Sequence, residues 1–106
     1  MDSNKLKDLA DAQFAKSAFL TILKETYEDK LTITHRGGTF VARPELISFL
    51  NSWHEPEIHV EDIYKTPILA DRNELLDAAK TAYRMASVYW ATEVARANSI
   101  DRETDV

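Results

Sequence analysis

Apolar residues follow two different periods along this chain. From Asn73 to Asn98, Leu75, Ala79, Ala82, Tyr83, Ala86, Tyr89, Trp90 and Ala97 recur at three- and four-residue steps, with no glycine or proline between them. At about 100° per residue they form one stripe, and Lys80, Arg84, Ser87 and Asn98 fall on the other side. The spacing predicts one long amphipathic helix. Asp71 and Glu74 mark its start, Asp71 accepting an orphan N–H and Glu74 reaching back to the cap backbone. Four stripe positions are alanine, which admits a close neighbour, while Tyr83 and Trp90 fill the gaps between layers. Twenty-six residues would span about 39 Å. A compact domain of this length has a radius of gyration of about 13 Å. The helix therefore either crosses the whole body or overhangs it, and an overhanging apolar end would seek a second subunit.

Asn4 to Asp29 predicts another helix, capped by Ser3 or Asn4, with Leu6, Leu9, Ala12, Phe19, Leu20, Leu23 and Tyr27 on one broad face. Phe14 and Ile22 fall outside that face, as Met85 and Val88 fall outside the stripe of the long helix. Two helices with surplus apolar sides in so small a domain predict a homodimer, with Phe14, Ile22, Met85 and Val88 at its interface.

The period changes to two at Leu31 to Arg43, LTITHRGGTFVAR. A two-residue Gly37-Gly38 turn suits a type I′ hairpin, pairing Arg36 with Thr39 and His35 with Phe40. Leu31, Ile33, His35, Phe40 and Ala42 then face the core. Thr32, Thr34, Arg36, Thr39, Val41 and Arg43 face outward. Pro44 opens a short apolar helix, PELISFLNSW, expected to be well buried and ended at His54-Glu55-Pro56. Glu57 to Tyr64 predicts a third strand, pairing with either edge of the hairpin. Its phase shifts at Asp62-Ile63, as at a bulge or a strand end. Lys65 to Ala70 is expected to be a loop, and SIDRETDV (99–106) a frayed polar tail.

The prediction is one α+β domain over residues 1–106, in the order α-β-β-α-β-α. A small antiparallel sheet, hairpin plus third strand, packs against two long helices and one short one.

Composition narrows function mainly by exclusion. The chain has 106 residues, a net charge of -5 and no cysteine. Disulfides and cysteine-ligated metals are therefore excluded. The acidic balance argues against general nucleic-acid binding, which needs several phosphate-neutralising cations. No run approaches the roughly 20 apolar residues of a membrane span. The N-terminal MDSNKLKDLADAQF lacks the apolar core of a signal peptide, so a cytoplasmic location is expected.

Within IYKTPILADRNELLDAAKTAYRMA and just before it, Val60, Glu61, Asp62, Pro67 and Ile68 form a VED-x-x-x-x-P-I block ahead of a cap and an alanine- and aromatic-rich helix. This C-terminal half resembles small uncharacterised proteins of T4-like tailed phages, especially those of cyanobacteria. The resemblance implies a phage accessory protein acting in the cytoplasm of an infected bacterium, and it carries no catalytic motif.

Candidate chemistry is sparse. His54-Glu55-Pro56-Glu57-Ile58-His59 holds metal-ligand residue types, but the spacing is H-E-x-x-x-H and Pro56 forbids the helix that would align both rings. Surface polar residues at a helix-to-strand connection are the favoured interpretation. His35, on the inner face beside Phe40, is either a buried titrating base or, more commonly, a half-buried ring bonded to a carbonyl. His35-Arg36-Gly37-Gly38 lacks the lysine and following helix of a phosphate loop. No serine or threonine has a nucleophile-elbow context.

The outer hairpin face is the most distinctive surface. Arg36 and Arg43, with Lys30 nearby, make a local positive spot framed by Thr32, Thr34 and Thr39, suited to an acidic protein surface or a phosphate backbone. Three cations are few for strong phosphate binding, and a solvent-facing sheet carries such residues anyway. The expectation is a non-enzymatic, homodimeric interaction module with a further protein partner, acting through helix surfaces and through Arg36, Thr39, Arg43 and Thr34, without metal or cofactor. A nucleic-acid accessory protein using Arg36 and Arg43 is the first alternative, and a small metal-dependent enzyme using His54 and His59 the second.

Overall fold

The computed structural model describes the backbone of residues 3–104 and the side chains of residues 15–98. Its elements are α1 (Ser3–Leu31), β1 (Thr32–His35), β2 (Gly38–Val41), α2 (Pro44–Ser52), β3 (Glu57–Glu61), β4 (Pro67–Asp71) and α3 (Arg72–Thr104). The fold is α+β, with the helices and first three strands in the predicted order. Residues read as a loop before α3 instead supply β4. This strand pairs antiparallel with β3, Ile58 opposite Ala70 and Val60 opposite Ile68. The third strand therefore joins β4 and not an edge of the first hairpin, giving two separate two-stranded sheets. Ala70 is fully buried and Ile68 half-buried, an alternation that Pro67 obscured. As the first residue of its strand, Pro67 costs little pairing.

The first hairpin also departs from its predicted pairing. Its turn is Arg36-Gly37, both at positive φ (48° and 81°), as a type I′ turn requires. His35 pairs with Gly38, Thr34 with Thr39 and Ile33 with Phe40. The pairing is displaced by two residues, so each side chain keeps its predicted face. Leu31, Phe40 and Ala42 are buried, and Thr32 and Thr34 exposed. Gly38 is in a strand for a different reason: a Cβ there would sit 2.6 Å from Ile68 Cγ1 and 3.0 Å from Phe40 Cε2. The second glycine lets the two hairpins approach, and the turn moves back onto a strained arginine. Arg36 Nη1 donates to Leu69 O at 3.0 Å, which helps to hold that conformation.

Beyond that contact, the hairpins are locked by polar pairs. Asp71 N donates to His35 Nε2 at 3.1 Å, and Ile63 N donates to Thr39 O at 2.9 Å. His35 thus stands half-buried, accepting from an amide and not bonded to a carbonyl. It also takes the N–H that a capping box would give to Glu74. The other half of the predicted cap is present, Glu74 N donating to Asp71 Oδ1 at 3.0 Å.

α2 is less covered than its composition suggests. Leu50 is fully buried, but Phe49 is exposed, tilted against Trp53 with ring centroids 6.5 Å apart. Its C-terminal end is closed from outside by Arg72, whose Nε donates to Leu50 O at 2.8 Å and Nη2 to Asn51 O at 3.2 Å. This satisfies carbonyls that a helix end leaves without partners.

Phe40, Leu50, Ile58, Ala70, Leu75 and Leu76 form the core under the sheets. Leu31, Ala42, Ala79 and Ala86 form a second cluster between α1, the first hairpin and α3. The alanines bring α1 against α3. Tyr27 meets Trp90 at a centroid distance of 6.4 Å, while Leu31, farther along α1, packs beside Ala79 and Ala86. As α1 advances its partners on α3 retreat, so the helices are antiparallel. α3 is continuous through Met85, and at 33 residues is about 50 Å long. The molecule measures 66 × 25 × 18 Å with a radius of gyration of 19.8 Å, far above the roughly 13 Å of a compact domain this size. The long helix overhangs: α1 and α3 continue past the sheets as a two-helix arm.

Candidate interaction surface

A pair of helices has no second layer of its own. Where α2 and the sheets lie against α3, Leu75, Leu76, Ala79 and Ala86 are buried. Elsewhere on the two long helices the apolar load is left open: Ile22 is 61 % exposed, Met85 66 %, Val88 62 % and Trp90 50 %. Trp90 lies on the inner stripe and meets Tyr27, yet stays half open. Val88 points nearly opposite to Ala79 and Ala86, and Met85 about 100–120° round from them. The side chain of Phe14 lies outside the described residues.

Lys30 and Met85 lie on one side of the helix pair. Ile22, Thr26 and Lys30 follow each other at four-residue steps on α1, one row of a helix surface. The Lys30 ammonium lies 4.8 Å from the Tyr89 ring centroid. Lys30 also lines a shallow hollow of about 480 Å³ together with Thr81, Ala82 and Met85. The row ending at Lys30 therefore borders the row holding Met85. On the other flank of α3, Val88 borders a hollow of about 570 Å³ with Pro44, Ile47, Tyr83, Lys80 and Arg84. Met85 and Val88 thus form a ridge between two shallow troughs, on the side of α3 turned away from the core.

The three cations of the predicted positive spot are engaged separately. Arg36 reaches Leu69 O and lies 4.0 Å from the Asp71 carboxylate. Arg43 Nη2 bonds Glu28 Oε2 at 2.7 Å, tying the end of the hairpin to α1. Lys30 covers Tyr89. Thr34 is exposed, whereas Thr39 is half-buried with its N–H on Asp62 Oδ2 at 3.2 Å. Each of these cations thus has a different partner. Thr34 and Thr39 do pair directly across the strands.

His54 and His59 are both exposed, one after α2 and the other on β3. Among the described residues no three histidine, aspartate or glutamate side chains gather as a metal ion requires. No helix among them is long and apolar enough to cross a membrane.

Asp62 is the polar hub that sequence spacing missed. Its carboxylate accepts N–H bonds from Tyr64 and Thr66, each at 3.0 Å, and from Thr39 of the neighbouring hairpin. Partial burial raises its pKa, but the bonds from Thr66, Thr39 and Tyr64 together outweigh that and hold the carboxyl below its ordinary value. The strand ends at Glu61 because Asp62 starts this turn, which explains the phase shift. Arg72, the closure of α2, was equally hidden: its role depends on a helix end twenty residues earlier. The only sequence signal for Asp62 was an aspartate at a strand end, a residue type that often bonds the backbone two residues on.

No family model matches this chain, and no curated protein or solved structure matches it.

Proposed function

We propose that this protein is a non-enzymatic interaction module that self-associates through the open side of its helix pair. The observation that carries this is the exposed set Ile22, Met85 and Val88 on the outward sides of the two long helices, in an elongated molecule. Scattered apolar residues are ordinary on a surface, but here Met85 and Val88 adjoin on α3, and Ile22 adds to them on α1, in a two-helix layer that lacks a covering layer. A second copy supplies that layer with closed symmetry. The sheet end, with its backbone tied up by Asp62, His35 and Arg72, is then the rigid part that a further protein partner meets. The VED-x-x-x-x-P-I block of Val60, Glu61, Asp62, Pro67 and Ile68 supports extending the reading to a phage accessory protein acting in the host cytoplasm.

Light scattering across a wide concentration range tests the association. The expected mass approaches twice the 12.1 kDa chain and falls to one chain in Met85→Glu and Ile22→Glu. A single-chain mass at all concentrations removes the self-association. Genome context tests the phage origin: a coding sequence in a cellular chromosome far from any prophage removes that part alone.

A further inference from the structure

The outward side of α3 carries a row whose order reads alike in both directions. Ala78, Thr81, Met85, Val88, Thr92 and Ala95 succeed one another at steps of three, four, three, four and three residues. At about 100° per residue the six positions fall within a strip of about 100°. All are exposed except Ala78, which is half-buried. The types run small, threonine, large, large, threonine, small, and the step pattern is its own reverse. A midpoint between Met85 and Val88 exchanges Met85 with Val88, Thr81 with Thr92 and Ala78 with Ala95.

A two-fold interface needs this property: if residue i of one copy meets residue j of the other, then j meets i. We infer that two copies pair α3 against α3 in antiparallel fashion, with the two-fold axis between Met85 and Val88. The large side chains then meet at the centre, threonine faces threonine one turn out, and alanine faces alanine beyond. The troughs flanking the Met85–Val88 ridge give a partner ridge somewhere to seat. This pairing rests on the self-association proposed above and fixes its geometry.

Area decides how much of the arm must take part. From Ala78 to Ala95 the row is about 26 Å long, and one helix is about 10 Å wide. That is only about 260 Å² in projection, well short of the about 800 Å² per partner of a standard interface. Including the Ile22, Thr26 and Lys30 row of α1, about 12 Å long, raises the face to about 380 Å². Side chains are corrugated and carry more accessible area than their projection, which brings the face near the lower end of specific interfaces. The dimer is therefore modest in size and concentration-dependent, and it needs α1 as well as α3.

Spin labels read the pairing directly. The chain has no cysteine, so single-cysteine variants carry one label each. Arg84 and Asp77 are exposed beside the row and leave its members intact. About the inferred midpoint, the two copies of position 84 are offset by about 7.5 Å along the helix, and those of position 77 by about 28 Å. Dipolar spectroscopy on Arg84→Cys and Asp77→Cys should give a short distance for the first and one longer by roughly 15–20 Å for the second, given interaxial spacings of about 8–10 Å. Adding Met85→Glu to either should abolish the coupling while circular dichroism shows the fold intact. Equal distances at both positions, or a longer one at 84, overturn the antiparallel pairing while the dimer mass leaves self-association standing. A single-chain mass with no coupling overturns both.

Discussion

The sheet end and the helix arm are built from the same chemistry and solve different halves of the folding problem. At the sheet end, two small hairpins that would be marginal alone are matched group for group. Asp62 caps its own turn and the neighbouring strand, His35 accepts the Asp71 amide, Arg72 closes α2, and Gly38 makes room for Ile68. Between the long helices, α1 and α3 meet along alanines and a tilted Tyr27–Trp90 pair, and the outward side of α3 stays exposed at Thr81, Met85, Val88, Thr92 and Ala95. A two-stranded sheet needs partners to persist, so its polar groups are accounted for within the chain. A helix satisfies its own backbone, so it can stand clear of the body and leave an apolar side open.

Deleting core volume at one end and surface volume at the other breaks the comparison most sharply. Leu75→Ala removes a fully buried side chain beneath the sheets and is expected to cost about 2–5 kcal/mol in denaturant unfolding. Met85→Ala, measured where the protein is dilute and monomeric, should stay within about 0.5 kcal/mol. Equal losses would mean that the arm is packed within a single copy.

Gly38→Ala ranks next. Its Cβ meets Ile68 Cγ1 at 2.6 Å, so either Ile68 or a hairpin must shift, at an expected cost of about 1–3 kcal/mol. Gly37→Ala meets no atom within 4 Å but must hold φ near 81°. Its cost is that of a left-handed alanine, about 1–2 kcal/mol. Gly38→Ala should cost less in an Ile68→Ala background, whereas Gly37→Ala should cost the same in both.

Asp71→Ala tests the joint between the two regions, where the cap of α3 is also the end of β4. Loss of a cap of this kind costs about 0.5–2 kcal/mol. Far-ultraviolet dichroism during unfolding reads whether the start of α3 loosens.

The smallest effect is a pH dependence confined to the sheet end. Asp62 titrates below its ordinary value when folded, so the folded state takes up its proton less readily than the unfolded one. Its stabilising contribution is complete above the ordinary carboxylate range and is lost as pH falls through the depressed folded value. Asp62→Asn should flatten that acid-side slope. Protection of the Thr66, Thr39 and Tyr64 amides, taken relative to intrinsic exchange at each pH, should fall with acid in the parent and stay level in the variant.

Most of the helices was legible because a helix states itself locally. The stripe from Leu75 to Ala97 and the Asp71 cap located α3, and alternation located both faces of the first hairpin. The errors came where two elements meet. Gly37-Gly38 looked like one turn, but one glycine serves the turn and the other serves Ile68. Pro67 looked like a loop because the partner that makes it a strand, β3, lies across a turn held by Asp62. Arg36, Thr39 and Arg43 looked like one basic surface. Instead the fold sends Arg36 to β4, ties the Thr39 amide to Asp62 and sends Arg43 to α1. Among the open residues, Ile22, Met85 and Val88 were legible as off-stripe positions, while Thr81, Thr92 and Ala95 joined Met85 and Val88 only once the structure left that side of α3 exposed.

The sequence by itself determined which segments become helix or strand and which side of each is apolar, because backbone periodicity acts over a few residues. Tertiary structure alone decided the hairpin pairing, the fourth strand, the partners of each charged side chain and the extension of the arm. Those depend on contacts between residues far apart in the chain, whose distances no local period encodes.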